Sequence, residues 1–394
     1  MRVLYYCLPS FMANAASEIR ALSRHAEIHL VFEVSPKAWR HNVLDLPHPP
    51  WEPGFHEGRK FLREHLPADA WAYFAEAAGV YFSTYPPGLS AGSTRAVWST
   101  IRAVGKIAPD VLHLGGESIR AACWVPLVRR PLVVGVHEPQ VPMGSNLPAL
   151  AWAKRLLIPR AKHIVVHSEE CRNAIIAQGR VPARRITKAV LGPMEIVKAW
   201  LPDDSVAQDD SANQILFWGN LSIRKGVDLL LAAAPKVAEQ IAHVRFVIAG
   251  QPVGEYRIPP LPHMPNDGKI TVIIERIPNA RLAQMVSAAT IVAAPYRDAM
   301  QSAVILTAYA FAKPVVASDV GGLPEQVWHN ETGLLFANGD ADGLAKAVVQ
   351  LLTDNSARQR MQKRIQELNQ TALSWDDFGT TVAQVWRKVA GESS

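Results

Sequence analysis

The chain has 394 residues, 49% of them hydrophobic and 19% charged, with a mean hydropathy of +0.03. Domains usually run to roughly 100–200 residues, so two are expected, each with its own core, and no apolar run approaches the ~20 residues that a bilayer-spanning helix needs. Cys7, Cys123 and Cys171 are too few and too widely spaced for a disulfide framework or a zinc site, and they read as reduced thiols. The net charge of +6 is uneven: residues 1–200 carry 24 Lys+Arg against 15 Asp+Glu, and residues 201–394 carry 17 against 20. An anionic partner is therefore expected for the first half. Nucleic acid is disfavoured, because no basic stripe interleaved with aromatics runs through it.

The elements alternate from the start. A strand is expected over 2–7, a helix over 15–25 and a strand over 27–32. The chain enters that first strand without a basic and then apolar leader, so a cytoplasmic location is expected, with peripheral attachment at the inner membrane face as an extension. Residues 34–92, rich in Pro and Trp, read as irregular apart from helices over 57–65 and 68–78. A helix over 95–107 carries Arg95, Arg102 and Lys106 with Trp98, Ile101 and Val104, a pattern that suits either an ordinary surface helix or one lying on an anionic membrane. Strands over 111–114, 132–136 and 163–166 follow, with helices over 149–157 and 169–178. Such alternation implies a parallel sheet covered on both faces.

The polar, acidic stretch 201–213 separates the halves and reads as a hinge between a domain over 1–200 and one over 214–372. The second half restarts with strands over 214–218, 245–249, 270–274, 291–294 and 314–318. Its helices are expected over 226–239, 280–288, 302–311, 340–352 and from 356 onward. A last segment, 373–394, is long enough for one more helix.

Two junctions carry the chemistry. In Ile215–Ala233, ILFWGNLSIRKGVDLLLAA, a strand ends at Gly219 and Arg224-Lys225-Gly226 opens a helix. In PYRDAMQSAVILTAYAFAKPVVASDVGGLPE, from Pro295, a strand ends at a proline and a helix opens near Gln301-Ser302. In an open parallel sheet, ligands sit at the carboxyl ends of strands, where a helix start offers unpaired N–H groups to an anion. Both are places to hold phosphate. The paired Gly321-Gly322 permits a tight turn at the end of a further strand, and a turn alone explains the pair as well as ligand contact does. Glu325 is explained equally by the helix dipole.

Together these segments resemble the donor site of nucleotide-sugar glycosyltransferases of family 4. The resemblance implies an α/β chain of GT-B type, two doubly wound Rossmann-like domains facing across a cleft. It further implies retaining transfer of a sugar from a nucleotide-diphosphate sugar to a glycan or lipid-linked glycan, in polysaccharide or glycoconjugate biosynthesis. No cofactor or metal is required, because lysine and backbone amides meet the charge of the leaving diphosphate. Lys225 matches the family's diphosphate-binding lysine. Asn220 stands where an arginine is usual, with Arg224 as the substitute charge. Gly219, Arg276, Ile277, Gln301, Ser302, Ala303, Val304, Thr307 and Glu325 match donor-contacting positions. Two family glutamates are missing, with Ala299 and Thr307 in their places. In the first domain, His137 follows a buried strand and matches an imidazole near the reacting sugar, with Glu138 beside it toward the acceptor. Ser168 reads as a helix N-cap and His113 as a weaker candidate. The last helix is expected to return to the first domain. The departures at Asn220, Ala299 and Thr307 leave open a second reading, a relative that binds a ligand without catalysis.

Overall fold

The computed structural model describes residues 1–88, 90–139, 148–201 and 213–391. Two compact units divide the chain, one made of Met1–Gly192 with Trp375–Ser394 and the other of Pro193–Ser374. The crossings fall at 192/193 and 374/375; most of the stretch expected as a hinge, 202–212, lies outside the described residues.

The first unit holds eight strands: β1 (Arg2–Cys7), β2 (Glu27–Val34), β3 (Gly54–Glu57), β4 (Gly79–Thr84), β5 (Val111–Leu114), β6 (Leu132–Val136), β7 (His163–Val166) and β8 (Ile186–Lys188). They lie in the order β3-β4-β2-β1-β5-β6-β7-β8, all parallel except β3, which pairs antiparallel with β4. Strands such as LVVGV and HIVV are buried along their whole length, as strands covered on both faces must be. Residues 34–92 are less irregular than their composition suggests, since β3 and β4 lie there. Gly54–Glu57 is a four-residue edge strand set between Pro53 and Gly58, the short form in which an edge strand sits beside a proline.

The helix Ala91–Ile107 turns Ala96, Thr100, Val104 and Ile107 into the core, whereas Trp98 remains 60% exposed. The last helix, Trp375–Ala390, packs on the helix Met12–Leu22 of the first unit. Phe378, Val382, Trp386 and Val389 recur at helical spacing and are buried, each worth about 1.5–3 kcal/mol in area removed from water. The Trp386 indole N–H donates to His113 Nδ1 at 3.2 Å, and Arg24 pairs with Asp376.

The second unit has six strands, all parallel: β9 (Gln214–Trp218), β10 (Arg245–Ala249), β11 (Lys269–Ile273), β12 (Ile291–Ala294), β13 (Val315–Asp319) and β14 (Gly333–Ala337). Their order is β11-β10-β9-β12-β13-β14. The chain runs outward from β9 to β11 and then restarts at β12 on the other side. The switch point of this sheet, where such folds bind ligands, is therefore the carboxyl end of β9 and β12. The sheet of the first unit reverses in the same manner between β1 and β5. Among the described residues no helix is long and apolar enough to cross a membrane, and the three cysteines are free thiols.

Candidate active site

The two junctions expected to hold phosphate lie side by side at the switch point of the second unit. After β9, a single turn over Ile223–Lys225 leads to Gly226, which opens the helix Val227–Ala238. Gly226 has φ +66°, and a Cβ there would stand 1.9 Å from the Pro295 carbonyl oxygen, so only glycine fits. The loop after β12 is bonded to this turn. The Arg297 backbone N–H donates to the Arg224 carbonyl at 2.8 Å, and the Arg297 guanidinium grips both Asp228 oxygens at 2.7 and 2.6 Å. Arg224 returns a bond to the Asp298 carbonyl at 3.3 Å. Lys225 is thereby held with its Nζ 3.6 Å from the centroid of the Tyr296 ring. Burial pushes the Tyr296 phenol up to about 12, so the lysine lies over an uncharged ring, a cation–π contact that orients it without neutralising it.

The helix Ala303–Ala310 supplies the second half of this site. Its approach is close: a Cβ built on Gly219 would lie 4.0 Å from Val304 Cγ2. The first amide is already engaged, because the Ser302 N–H donates to Gln326 Oε1 at 2.7 Å. Ser302 is buried, and its hydroxyl donates to the Tyr296 oxygen at 3.3 Å. The amides of Ala303 and Val304 have no acceptor among the described residues, and these are the groups that remain for an anion. Ser302 thus braces the helix start, and the amides of its two successors are left open.

The other expected donor positions fall out unevenly. Asn220 is exposed beside the turn, and Gln301 is half-buried next to Ser302. Thr307 is buried and donates its hydroxyl to the Ala303 carbonyl at 2.8 Å, an internal helix bond that commits its proton. Ala299 is buried; its carbonyl accepts from Gly322 N at 3.0 Å and stands 2.1 Å from where a Gly321 Cβ would be. Gly321, at φ +54°, is needed for that approach. Glu325 is half-buried in the short helix Leu323–Gln326. Arg276 is exposed and Ile277 leans on the core; both follow β11, two strands or about 10 Å from β9.

Because the Arg297 hydrogen bond, reinforced by its charge, holds the Asp228 carboxyl below the usual range, this contact contributes stability above the unfolded carboxylate value of about 4 and loses it as pH falls through the lower folded value. Thermal melts from pH 3 to 7 are expected to show Asp228→Asn less stable than the wild type at neutral pH and converging on it in acid. Parallel curves would contradict the pair's role in bracing the loop.

In the first unit, His137 follows β6 at the carboxyl end of the sheet and is 6% exposed. Its ring stacks on Phe11 at 4.1 Å and lies 4.7 Å from the His167 ring. Nε2 stands 2.9 Å from the Gly115 carbonyl; a carbonyl only accepts, so Nε2 carries the proton and Nδ1 is the acceptor. Burial, with His167 adding to it, brings the His137 imidazole down to about 3, and burial brings His167 down to about 4. Both are neutral hydrogen-bonding groups at neutral pH. Nitrogen chemical shifts of His137 are expected to stay those of a neutral Nε2–H ring down to pH 5; titration near 6.5 would contradict this geometry.

Beside His137, Glu138 is half-buried, and its carbonyl accepts from Lys154. Lys154 pairs with Glu117 at 2.8 Å, both nearly excluded from solvent. Such a pair is costly to break from one side. Sequence reasoning missed Phe11, Glu117, Lys154 and Gln326. The one signal available was Glu117, which follows Gly115-Gly116 at a strand end; Lys154 and Gln326 find their partners far along the chain. His113 is buried under Trp386 and structural in its bonding. Ser168 is the N-cap expected, accepting from Cys171 N at 3.1 Å.

Residues 212–354 match the family model of the glycosyl transferases group 1. The chain is 31% identical over 261 residues to a D-inositol 3-phosphate glycosyltransferase of Mycobacterium leprae, spanning 63% of this chain and 60% of that protein. It is 22% identical over 298 residues to an alpha-D-kanosaminyltransferase of Streptomyces kanamyceticus, spanning 66% and 71%. Among solved structures, Anabaena Alr3699/HepE in complex with UDP superposes with a TM-score of 0.68 at 17% identity, covering 98% of this chain and all of that one. Sucrose-phosphate synthase from Thermosynechococcus elongatus gives 0.68 at 16% identity over the whole of both chains. The match to the group 1 glycosyl transferases covers residues 212–354, and the whole chain shares the GT-B fold of these solved structures.

Proposed function

We propose that the chain transfers a sugar, with retention of configuration, from a nucleotide-diphosphate sugar to a glycan or lipid-linked glycan. The observation that carries this reading is the meeting, at one switch point, of Lys225 with the open amides of Ala303 and Val304. Negative charge grows on the leaving diphosphate as the glycosidic bond breaks, and donors already aimed at it favour that state over the ground state. Lys225 supplies full charge, the two amides supply partial charge, and Arg224 adds a second full charge, a guanidinium bonded to the Asp298 carbonyl. No metal is assigned to this step. His137 Nδ1, fixed as an acceptor, suits a sugar hydroxyl, and the departing phosphate takes the acceptor's proton. Solved relatives of the same fold hold UDP and UDP-glucose, which supports a uridine donor first.

Thermal stabilisation and slow donor hydrolysis, measured across UDP-, GDP-, ADP- and TDP-sugars, test the proposal; one donor is expected to give both signals. A binding protein without catalysis is the second reading, favoured by the burial of Ala299 and Thr307 where the resemblance expects acids. Hydrolysis or transfer by the pure protein sinks it, whereas binding of a donor without any turnover, with acceptors supplied, sinks the first.

A further inference from the structure

At the amino ends of β7 and β8, five cations converge on one cavity of about 410 Å³: Arg160, Lys162, Arg184, Arg185 and Lys388, with His163 in its wall. They come from three separate segments of the chain, and none makes an ion pair among the described residues. Their bonds go to carbonyls. Arg185 binds those of Lys162 at 3.2 Å, Pro159 at 3.3 Å and Ala161, which makes it the brace of the wall. Lys162 reaches Val389 O and Lys388 reaches Arg184 O, both at 3.5 Å, so these two ammonium groups retain most of their hydrogen-bonding capacity. Arg160, Lys162, Arg184 and Lys388 are exposed. Gathering like charges without a counterion costs self-repulsion, and an anion relieves it.

The location separates this cavity from the chemistry. His137 and His167 stand at the carboxyl ends of β6 and β7, whereas His163 opens β7 at its other end, roughly 10–13 Å away along the strand. The field is visible at His163 itself: after burial, Lys388 and Arg185 are what bring its imidazole down to about 4.

We infer that this cavity is an anion site for a multiply phosphorylated ligand, separate from the donor site. The ligand bridges Arg184 and Lys388, and so links the turn before β8 to the last helix. Two sources share that chemistry, a soluble polyphosphorylated metabolite and a phosphorylated lipid headgroup.

Calorimetric titration of the full chain with inorganic tripolyphosphate at about 0.15 M salt tests it, where weak surface attraction is largely screened. Saturable binding is expected in the wild type and in Lys225→Ala, and is expected to weaken at least about tenfold in the Arg184→Ser/Lys388→Ser double variant, which removes two charge-assisted contacts. Both positions are exposed, so folding is expected to persist, and Lys388→Gln gives a milder second variant. Sedimentation with phosphatidylcholine vesicles, with and without a phosphatidylinositol bisphosphate, separates the sources. Capture that depends on Arg184 and Lys388 assigns the lipid, and binding of tripolyphosphate alone assigns the metabolite. No saturable binding in the wild type, undiminished binding in the double variant, or loss in Lys225→Ala alone overturns the inference.

Discussion

Lys225→Ala is expected to lower transfer by about 10²–10³-fold, the usual effect of removing one donor aimed at developing negative charge. Stability should change little. The lysine's contact with Tyr296 is a partly exposed cation–π pair, worth about 0.5–1 kcal/mol. Kinetics with the preferred donor check this. A fall in kcat assigns Lys225 to the transition state, whereas a rise in KM alone assigns it to uniform donor binding. Lys225→Arg is expected to recover part of the rate, because charge is retained but the point-like ammonium over the ring is replaced by a planar fork. A loss below about threefold in the alanine variant would shift the burden to Arg224 and the helix amides.

Gly226→Ala is expected to have the largest effect on stability, about 2–5 kcal/mol, by combining left-handed strain with a methyl group driven into the Pro295 carbonyl. The same change pushes apart the two loops that hold Lys225 over Tyr296, so donor binding should fail even at temperatures where the second unit stays folded. Gly254→Ala is the matched control. Gly254 has φ +61° but nothing within 4 Å of a built Cβ, so it reports the backbone strain alone, about 1–2 kcal/mol. Chemical denaturation of both variants measures the difference, and equal losses would show that the approach to Pro295 relaxes freely.

The parts of this structure legible from sequence are those fixed by short-range pattern. Continuous apolar runs such as 132–136 and 291–294 give the inner strands, and strand-Gly-turn-Lys-Gly-helix gives the Lys225 loop, because each is specified within about a dozen residues. β3 and β4 were hidden by the prolines and glycines around them, which describe their ends and not their pairing. Long-range partners were hidden altogether. Gln326 reaches the Ser302 amide from 24 residues away, and Glu117 meets Lys154 across 37. Neither residue announces its partner locally. The resemblance places Thr307 at the donor, and its hydroxyl turns back along its own helix, a bond that no local pattern announces.

The return of Trp375–Ala390 to the first unit also sets an order of events during synthesis. Residues 1–192 leave the ribosome well before the segment that covers His113, and at about 5–20 residues per second the wait is on the order of 10–40 s. Throughout it, the apolar seat of Phe378, Val382 and Trp386 is uncovered while the whole second unit is made. A nascent chain of this protein therefore offers a chaperone a defined hydrophobic target, which the last turns of the chain remove.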